Sequence, residues 1–285
     1  MIQRHQKVDV LHISGLFPDM AAYQTEKKSP MSEPKGDVKS LARALELLGC
    51  FSTDQPEWGI TEIAEYLGIY KSTAHRILIT FEQAGFVERT PERRYRLGLH
   101  ALELGATFRF SSLLIRIAEK PLQVLAEETG SIAHLVQLEG RETIELLRKS
   151  GMPAMSLASH PVIRRQAHAT STGKALLAYG GDDAFQRFVG SRQALNKYTR
   201  YTITSPEKFR DQMYRIVDDG YAVDDQESCL GIRCLGIPVK DCFGKVVAAI
   251  SISNSVEKFS DRNLPSLIPH LFATAKTIGA RSLML

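Results

Sequence analysis

The sequence predicts an α+β chain in two parts: a small helical head closed by a β-hairpin, then a linker helix and a larger domain of helices flanking an antiparallel sheet. Three observations carry this. Apolar residues from Val38 to Ala84 recur at three- and four-residue spacing, the period of helices that bury one face. Two short runs, Phe86–Arg89 and Arg93–Leu97, flank Thr90-Pro91-Glu92, where proline suits the second position of a tight turn. Beyond Pro121, apolar runs of strand length mix with amphipathic stretches in the order of an α+β domain.

A length of 285 residues exceeds one typical domain. The pattern divides into a polar tail over 1–35, a head over 36–97, a linker helix over 98–118 and a larger domain over 119–285. The tail is read as disordered because Pro30, Pro34 and Gly36 fall in a polar stretch. Hydrophobic residues at 44% allow a real core, and a net charge of +4 permits a polyanionic partner without requiring one. No apolar run approaches the ~18 residues of a membrane span. The N-terminal stretch is broken by Asp9, His12 and Pro18, too early for a signal peptide, so a cytoplasmic protein is expected. Cys50, Cys229, Cys234 and Cys242 form no C-x-x-C pair; no disulfide framework, metal site or cofactor is expected.

In the head, Leu41, Ala44, Leu45 and Leu48 share one face of a first helix. A loop over Ser52 to Pro56 ends it. A second helix runs about Thr61 to Leu67, with Thr61 as N-cap and Gly68 as its stop. A third runs about Lys71 to Ala84, with Gly85 where a left-handed cap needs no side chain. The two hairpin strands follow. Leu99, Leu102, Ala106, Phe110, Leu113 and Ile117 then make one stripe on a linker helix, suited to a dimer contact. After Pro121, Ile132–Leu138 and Thr143–Leu147 read as paired strands, as do Leu235–Val239 and Val246–Ile252. Helices are expected after Thr172, over Pro206–Asp219 and along the stripe Leu264, Ile268, Leu271, Ala275 and Ile278.

The second and third helices carry the chemistry. Ala64 is small where two helices cross, Gly68 permits the turn, and Ile63, Leu67, Ile69, Ala74 and Ile77 lock the pair. This is helix-turn-helix spacing, and it exposes the third helix to a DNA groove. Its exposed positions, Tyr70, Lys71, Ser72, Thr73, His75 and Arg76, carry two fixed positive charges and no acid before Glu82. Lys71, Ser72 and Thr73 add free backbone N–H groups for phosphate. Arg76 can bond guanine bidentately, and His75 a base or phosphate. The hairpin contributes Arg89, Arg93, Arg94 and Arg96, a wing able to reach the backbone or minor groove of duplex DNA.

With those residues in place, the chain resembles the IclR family of bacterial transcriptional regulators. The resemblance runs through KSLARALELLGCFS, ITEIAEYLG, KSTAHRIL, GFVER and YRLGLHALELG in the head. It continues through HATSTGKALLA, GYAVDDQESCLGIRCLGIPV and DCFGKVVAAISIS, and so spans about Val38 to the C-terminus. It implies a winged helix-turn-helix head, a GAF-like effector domain, and homodimers often paired into tetramers. It further implies regulation of carbon-source catabolism in response to small organic, sugar or aromatic acids. Tyr70 departs from the family pattern, where a small residue or proline is usual. Positions matching Ser171, Thr172, Asp224, Cys234, Ser251 and Ser253 line the ligand pocket of relatives.

The residues suit that role. Ser171 and Thr172 precede an apolar helix whose end can hold a carboxylate. Ser251 and Ser253 alternate with Ile250 and Ile252, so both hydroxyls face one side. Asp224, placed in a loop after Gly220-Tyr221, would accept a bond from a ligand hydroxyl. Glu227 and Arg233 are expected to pair structurally near the pocket.

Enzymatic readings fare poorly. The stretch before Gly173-Lys174 lacks the earlier glycine of a phosphate loop, and Ala175 replaces its Ser or Thr. Cys229 or Cys234 could pair with His168 as a nucleophile only if the fold joins them. His160 and His168 could ligate a metal with a cysteine, but lone histidines are usually structural or solvated, and no required metal is expected. The alternative from another class is a small-molecule-binding module acting through protein contacts, which would show no salt-sensitive operator binding.

Overall fold

The computed structural model describes residues 38–52, 55–151 and 164–282. The expected tail, Thr53 and Asp54 of the first loop, and His160 lie outside the described residues.

The head packs α1 (Lys39–Leu48), α2 (Ile60–Leu67) and α3 (Lys71–Gln83) against the hairpin β1 (Val87–Arg89) and β2 (Tyr95–Leu97). Leu47, Ile63, Ala74, Leu78, Val87 and Tyr95 form its core, each large apolar chain contributing about 1.5–3 kcal/mol by burial. Gly68 takes φ +64° and turns α2 into α3. The N-cap of α2 is Gly59 and not Thr61: the Glu62 carboxylate reaches back and accepts the Gly59 N–H at 2.9 Å. Trp58 exchanges two backbone bonds with Tyr95, at 2.9 and 2.8 Å, and so ties the loop before α2 to the wing. The face of α1 also differs from expectation. Leu47 is buried, whereas Leu41 and Leu45 stand 56% and 53% exposed.

The linker differs too. One linker helix over 98–118 is the sequence expectation; the chain forms α4 (Leu99–Ser111) and α5 (Leu113–Thr129). Ser112 leaves helical geometry at ψ 104°, and its hydroxyl accepts the Ile115 N–H, capping α5. No residue of α4 is buried. Pro121 lies inside α5 and does not end it. Burial of Leu114, Ala118, Leu122 and Leu125 against the sheet outweighs the one bond the proline forfeits.

The larger domain is built on six antiparallel strands in the order β5-β4-β3-β8-β7-β6. They are β3 (Ile132–Glu139), β4 (Glu142–Ser150), β5 (Arg164–Gln166), β6 (Ala222–Asp225), β7 (Ile232–Lys240) and β8 (Val246–Ser255). Side chains alternate between the faces. Leu135, Leu147, Leu235, Ile237, Ile250 and Ile252 form a core with α5 and the last helix, α9 (Leu264–Arg281). The other face carries α6 (Ser171–Tyr179), backed by α7 (Gly181–Val189) and α8 (Pro206–Asp219) through Phe185, Phe188, Phe209 and Met213. The register shifts between Leu135 and Val136: Leu135 faces Leu147, but Val136 faces Glu145. This bulge inserts Leu146 and reverses the alternation along β4. Among the described residues, no helix is long and apolar enough to cross a membrane.

Candidate DNA-binding face and ligand cavity

In the head, Lys71, Ser72 and His75 of α3 join Arg89 and Arg93 of the wing around one groove, with Ile60 and Tyr95 as its floor. The α3 side chains are exposed, and so is Arg76, one turn beyond Ser72; Thr73 is half-buried. Arg93 holds φ +62° at the turn, which carries its side chain outward. The guanidinium of Arg89 lies 5.9 Å from the Tyr95 ring.

The four wing arginines divide into two pairs. Arg94 grips the Glu62 carboxylate at 3.0 and 2.7 Å and donates to the Glu57 carbonyl at 3.0 Å. That hydrogen bonding holds the Glu62 carboxyl below its ordinary range and raises Arg94. Arg96 bonds Glu88 at 2.5 Å. Both are turned to the head's own acids; Arg89 and Arg93 form no ion pair among the described residues. Alanine at Arg89 or Arg93 is expected to weaken binding alike on any DNA and to flatten log K against log [salt] by about one unit each. Alanine at Arg96 should flatten it less, and a salt series in fluorescence anisotropy separates the two pairs.

In the larger domain, α6 and the sheet enclose a cavity of about 120 Å³. A single water needs roughly 10–15 Å³ on this measure, so the space suits a small organic molecule. Ser171, Thr172, Asp224, Cys234, Ser251 and Ser253 all line it. The end of α6 lies slightly earlier than expected: Thr170 is the N-cap, accepting the Gly173 N–H at 3.1 Å, and Ser171 and Thr172 are the first helical residues. A Cβ on Gly236 would sit 2.7 Å from the Ser171 carbonyl carbon, so glycine lets the helix end meet the sheet. Gly236→Ala is expected to displace α6, cost about 1–3 kcal/mol and blunt any ligand response while DNA affinity is retained. Urea unfolding and ligand titration on one preparation would check both.

Asp224 is on strand β6, not in a loop. Its Oδ1 accepts the N–H groups of Glu227 and Ser228 at 2.8 and 3.2 Å, and Oδ2 accepts the Ser228 hydroxyl at 2.5 Å. Its acceptors are largely spent on its own turn. Burial pushes its carboxyl up, opposed by the Lys174 charge. Burial, with Asp224 beside it, also drives the Cys234 thiol well up, so it is neutral. The expected Glu227–Arg233 pair is replaced by two others. Glu227 meets Lys174, and Arg233 bonds Asp225 at 2.5 Å and Asp261 at 2.8 Å. His168 is buried among Phe188, Tyr198 and Phe209 with Nε2 on the Asn196 carbonyl, away from either cavity cysteine.

The wall also carries polar residues not expected from sequence, among them His134, Glu145, Arg148 and Arg165. His134 Nδ1 lies 2.6 Å from Glu145, and Nε2 lies 2.9 Å from the Ser253 hydroxyl. Burial raises the Glu145 carboxyl, but His134, Arg148 and Arg165 more than offset this and hold it low. The Ser–His–carboxylate order is that of hydrolytic triads, yet Ser253 sits within a strand paired on both sides and not at a nucleophile turn. The missing signal was the bulge. Glu145 and Arg148 are three apart, on opposite faces of a regular strand; the extra residue puts both on the cavity side.

A helix-turn-helix with a basic wing, joined to an antiparallel-sheet domain holding a small polar cavity, defines a two-domain DNA-binding regulator. Residues 40–91 match the IclR helix-turn-helix domain and 110–280 match the bacterial transcriptional regulator IclR C-terminal domain. The chain belongs to the IclR family of DNA-binding transcriptional regulators. It is 33% identical to the HTH-type transcriptional regulator XynR of Escherichia coli over 229 residues, 80% of this chain and 90% of that protein. The IclR transcriptional regulator of Alicyclobacillus acidocaldarius superposes with a TM-score of 0.74 at 27% identity, covering 86% of this chain and 99% of that one. The fold is shared with a Microbacterium hydrocarbonoxydans IclR homolog complexed with 4-hydroxybenzoate, at a TM-score of 0.72 and 24% identity over 85% and 98% of the two chains.

Proposed function

We propose that this protein binds a near-palindromic operator through Lys71, Ser72, His75, Arg76, Arg89 and Arg93, and that a small organic acid in the cavity controls that binding. One observation carries the effector half. Ser171, Thr172 and Ser251 line the cavity, and their hydroxyls and the N–H groups of Ser171 and Thr172 bond no acceptor among the described residues. All three residues are at most 5% exposed. A carboxylate at the helix N-terminus would pair these donors.

Operator control requires that two head arrangements bind the acid with different affinity. The linker offers the coupling element, because α4 is unburied and α5 packs on the sheet bearing the cavity. Leu99, Leu102 and Phe110 on α4 stand 70–80% exposed, and Leu41 and Leu45 on α1, with Val38 just before it, add apolar surface. A second copy of the chain covers these faces and sets the spacing of the half-sites.

Fluorescence anisotropy on DNA from upstream of the protein's own gene tests the reading. Tight, sequence-selective binding that falls steeply with salt is expected. Ser251→Ala is expected to leave it intact and weaken the acid response.

A further inference from the structure

We infer that the effector is a diacid, one carboxylate seated on the α6 N-terminus and the second on Arg148. This rests on the cavity being the effector site. It names what the far wall recognises.

The polar groups of the cavity fall into three sets. At one end stand the unspent donors of Ser171, Thr172 and Ser251. In the middle, Glu145, His134 and Ser253 satisfy one another at 2.6 and 2.9 Å. At the other end, Arg148 lines the cavity and donates no hydrogen bond among the described residues. Glu145, the nearest acid in sequence, is bonded by His134 and meets the Arg148 charge without a hydrogen bond to it. A guanidinium facing a cavity with its fork unfilled matches a carboxylate bidentately. Arg165 lines the same wall and repels Arg148, and an anion between them would relieve that repulsion.

Register fixes the distance between the two ends. Gly236, Ser251, His134 and Arg148 are successive partners across β7, β8, β3 and β4. The α6 end rests on Gly236. Three strand spacings put the Gly236 and Arg148 backbones roughly 14 Å apart. The Arg148 side chain takes up part of this, leaving a gap that a carbon chain or one aromatic ring between two carboxylates would fill. A monoacid would occupy the α6 end and leave Arg148 unmatched.

Calorimetry with matched acids tests this: adipate against hexanoate, and terephthalate against 4-methylbenzoate. The wild type is expected to bind each diacid tighter than its monoacid partner by a factor of about 10–100. Arg148→Met, which keeps length without charge, should lose that preference and still bind the monoacids. Their retention shows that the variant is folded. Arg148→Lys should keep part of the preference. Equal binding of diacid and monoacid by the wild type, or an undiminished preference in Arg148→Met, overturns the inference. If monoacids bind in a manner weakened by Ser251→Ala but the second carboxylate adds nothing, the effector reading stands and the diacid falls. If none of the four acids binds, both fall.

Discussion

Replacing Lys174 with Met is expected to remove about 3–5 kcal/mol of stability, because it strips the counter-ion from buried acids. The Lys174 side chain is fully buried; its ammonium donates to the Glu227 carboxylate and the Val223 carbonyl and faces the Asp224 charge. Among the described residues Glu227 Oε2 has no hydrogen-bond partner of its own, so the lysine is the carboxylate's principal counter-charge. A lysine after Ser-Thr-Gly reads in sequence like a phosphate ligand; the fold makes it the anchor between α6 and the β6 turn. The pH dependence has a definite sign. Burial raises both Asp224 and Glu227 in the folded state, while Lys174 opposes the rise. Acids whose folded pKa is raised cost stability as pH climbs past the unfolded value. Without Lys174 that cost grows, so the variant's deficit should shrink from neutral pH toward about pH 5. Adding Glu227→Met should restore part of the loss, and urea unfolding of the double-mutant cycle would measure it. A deficit independent of pH would contradict the assignment.

Arg76→Ala is expected to cost about 1–3 kcal/mol of operator affinity, a factor of roughly 5–150, and to relax selectivity at one position of each half-site. Arg76 is exposed on α3 one turn beyond Ser72, so its loss disturbs no core packing. Binding of an acid in the cavity should be unchanged. Lys71→Ala, at the helix start, should weaken binding on all sequences and reduce salt dependence, as a phosphate contact does. Competition between operator and random duplex separates the two behaviours.

Much of this was legible in the sequence. The helical period, Gly68 and Pro91 of the wing marked out the head, since local residues decide those elements. Ser171, Thr172, Cys234, Ser251 and Ser253 were placed in one pocket from a family likeness and strand alternation, and the structure gathers them there. What escaped depends on partners distant in sequence. Leu41 and Leu45 share a helical period with a buried face, and only the packing of α1 through Leu47 shows them outside. Arg94 and Arg96 resemble Arg89 and Arg93 in sequence, but Glu62 and Glu88 engage them. Pro121 reads as a breaker until the sheet and α9 are seen to hold α5 together. The bulge that swings Arg148 onto the cavity wall leaves no local mark, because register is a property of two strands.

Under the proposed function, occupancy of the cavity governs the grip of the head on DNA. The most direct measurement is operator anisotropy during titration with an organic acid, using wild type and Ser251→Ala side by side. The acid is expected to shift operator affinity of the wild type, and the variant to bind the operator equally well but need far more acid for the same shift. An identical acid response in both proteins would contradict it.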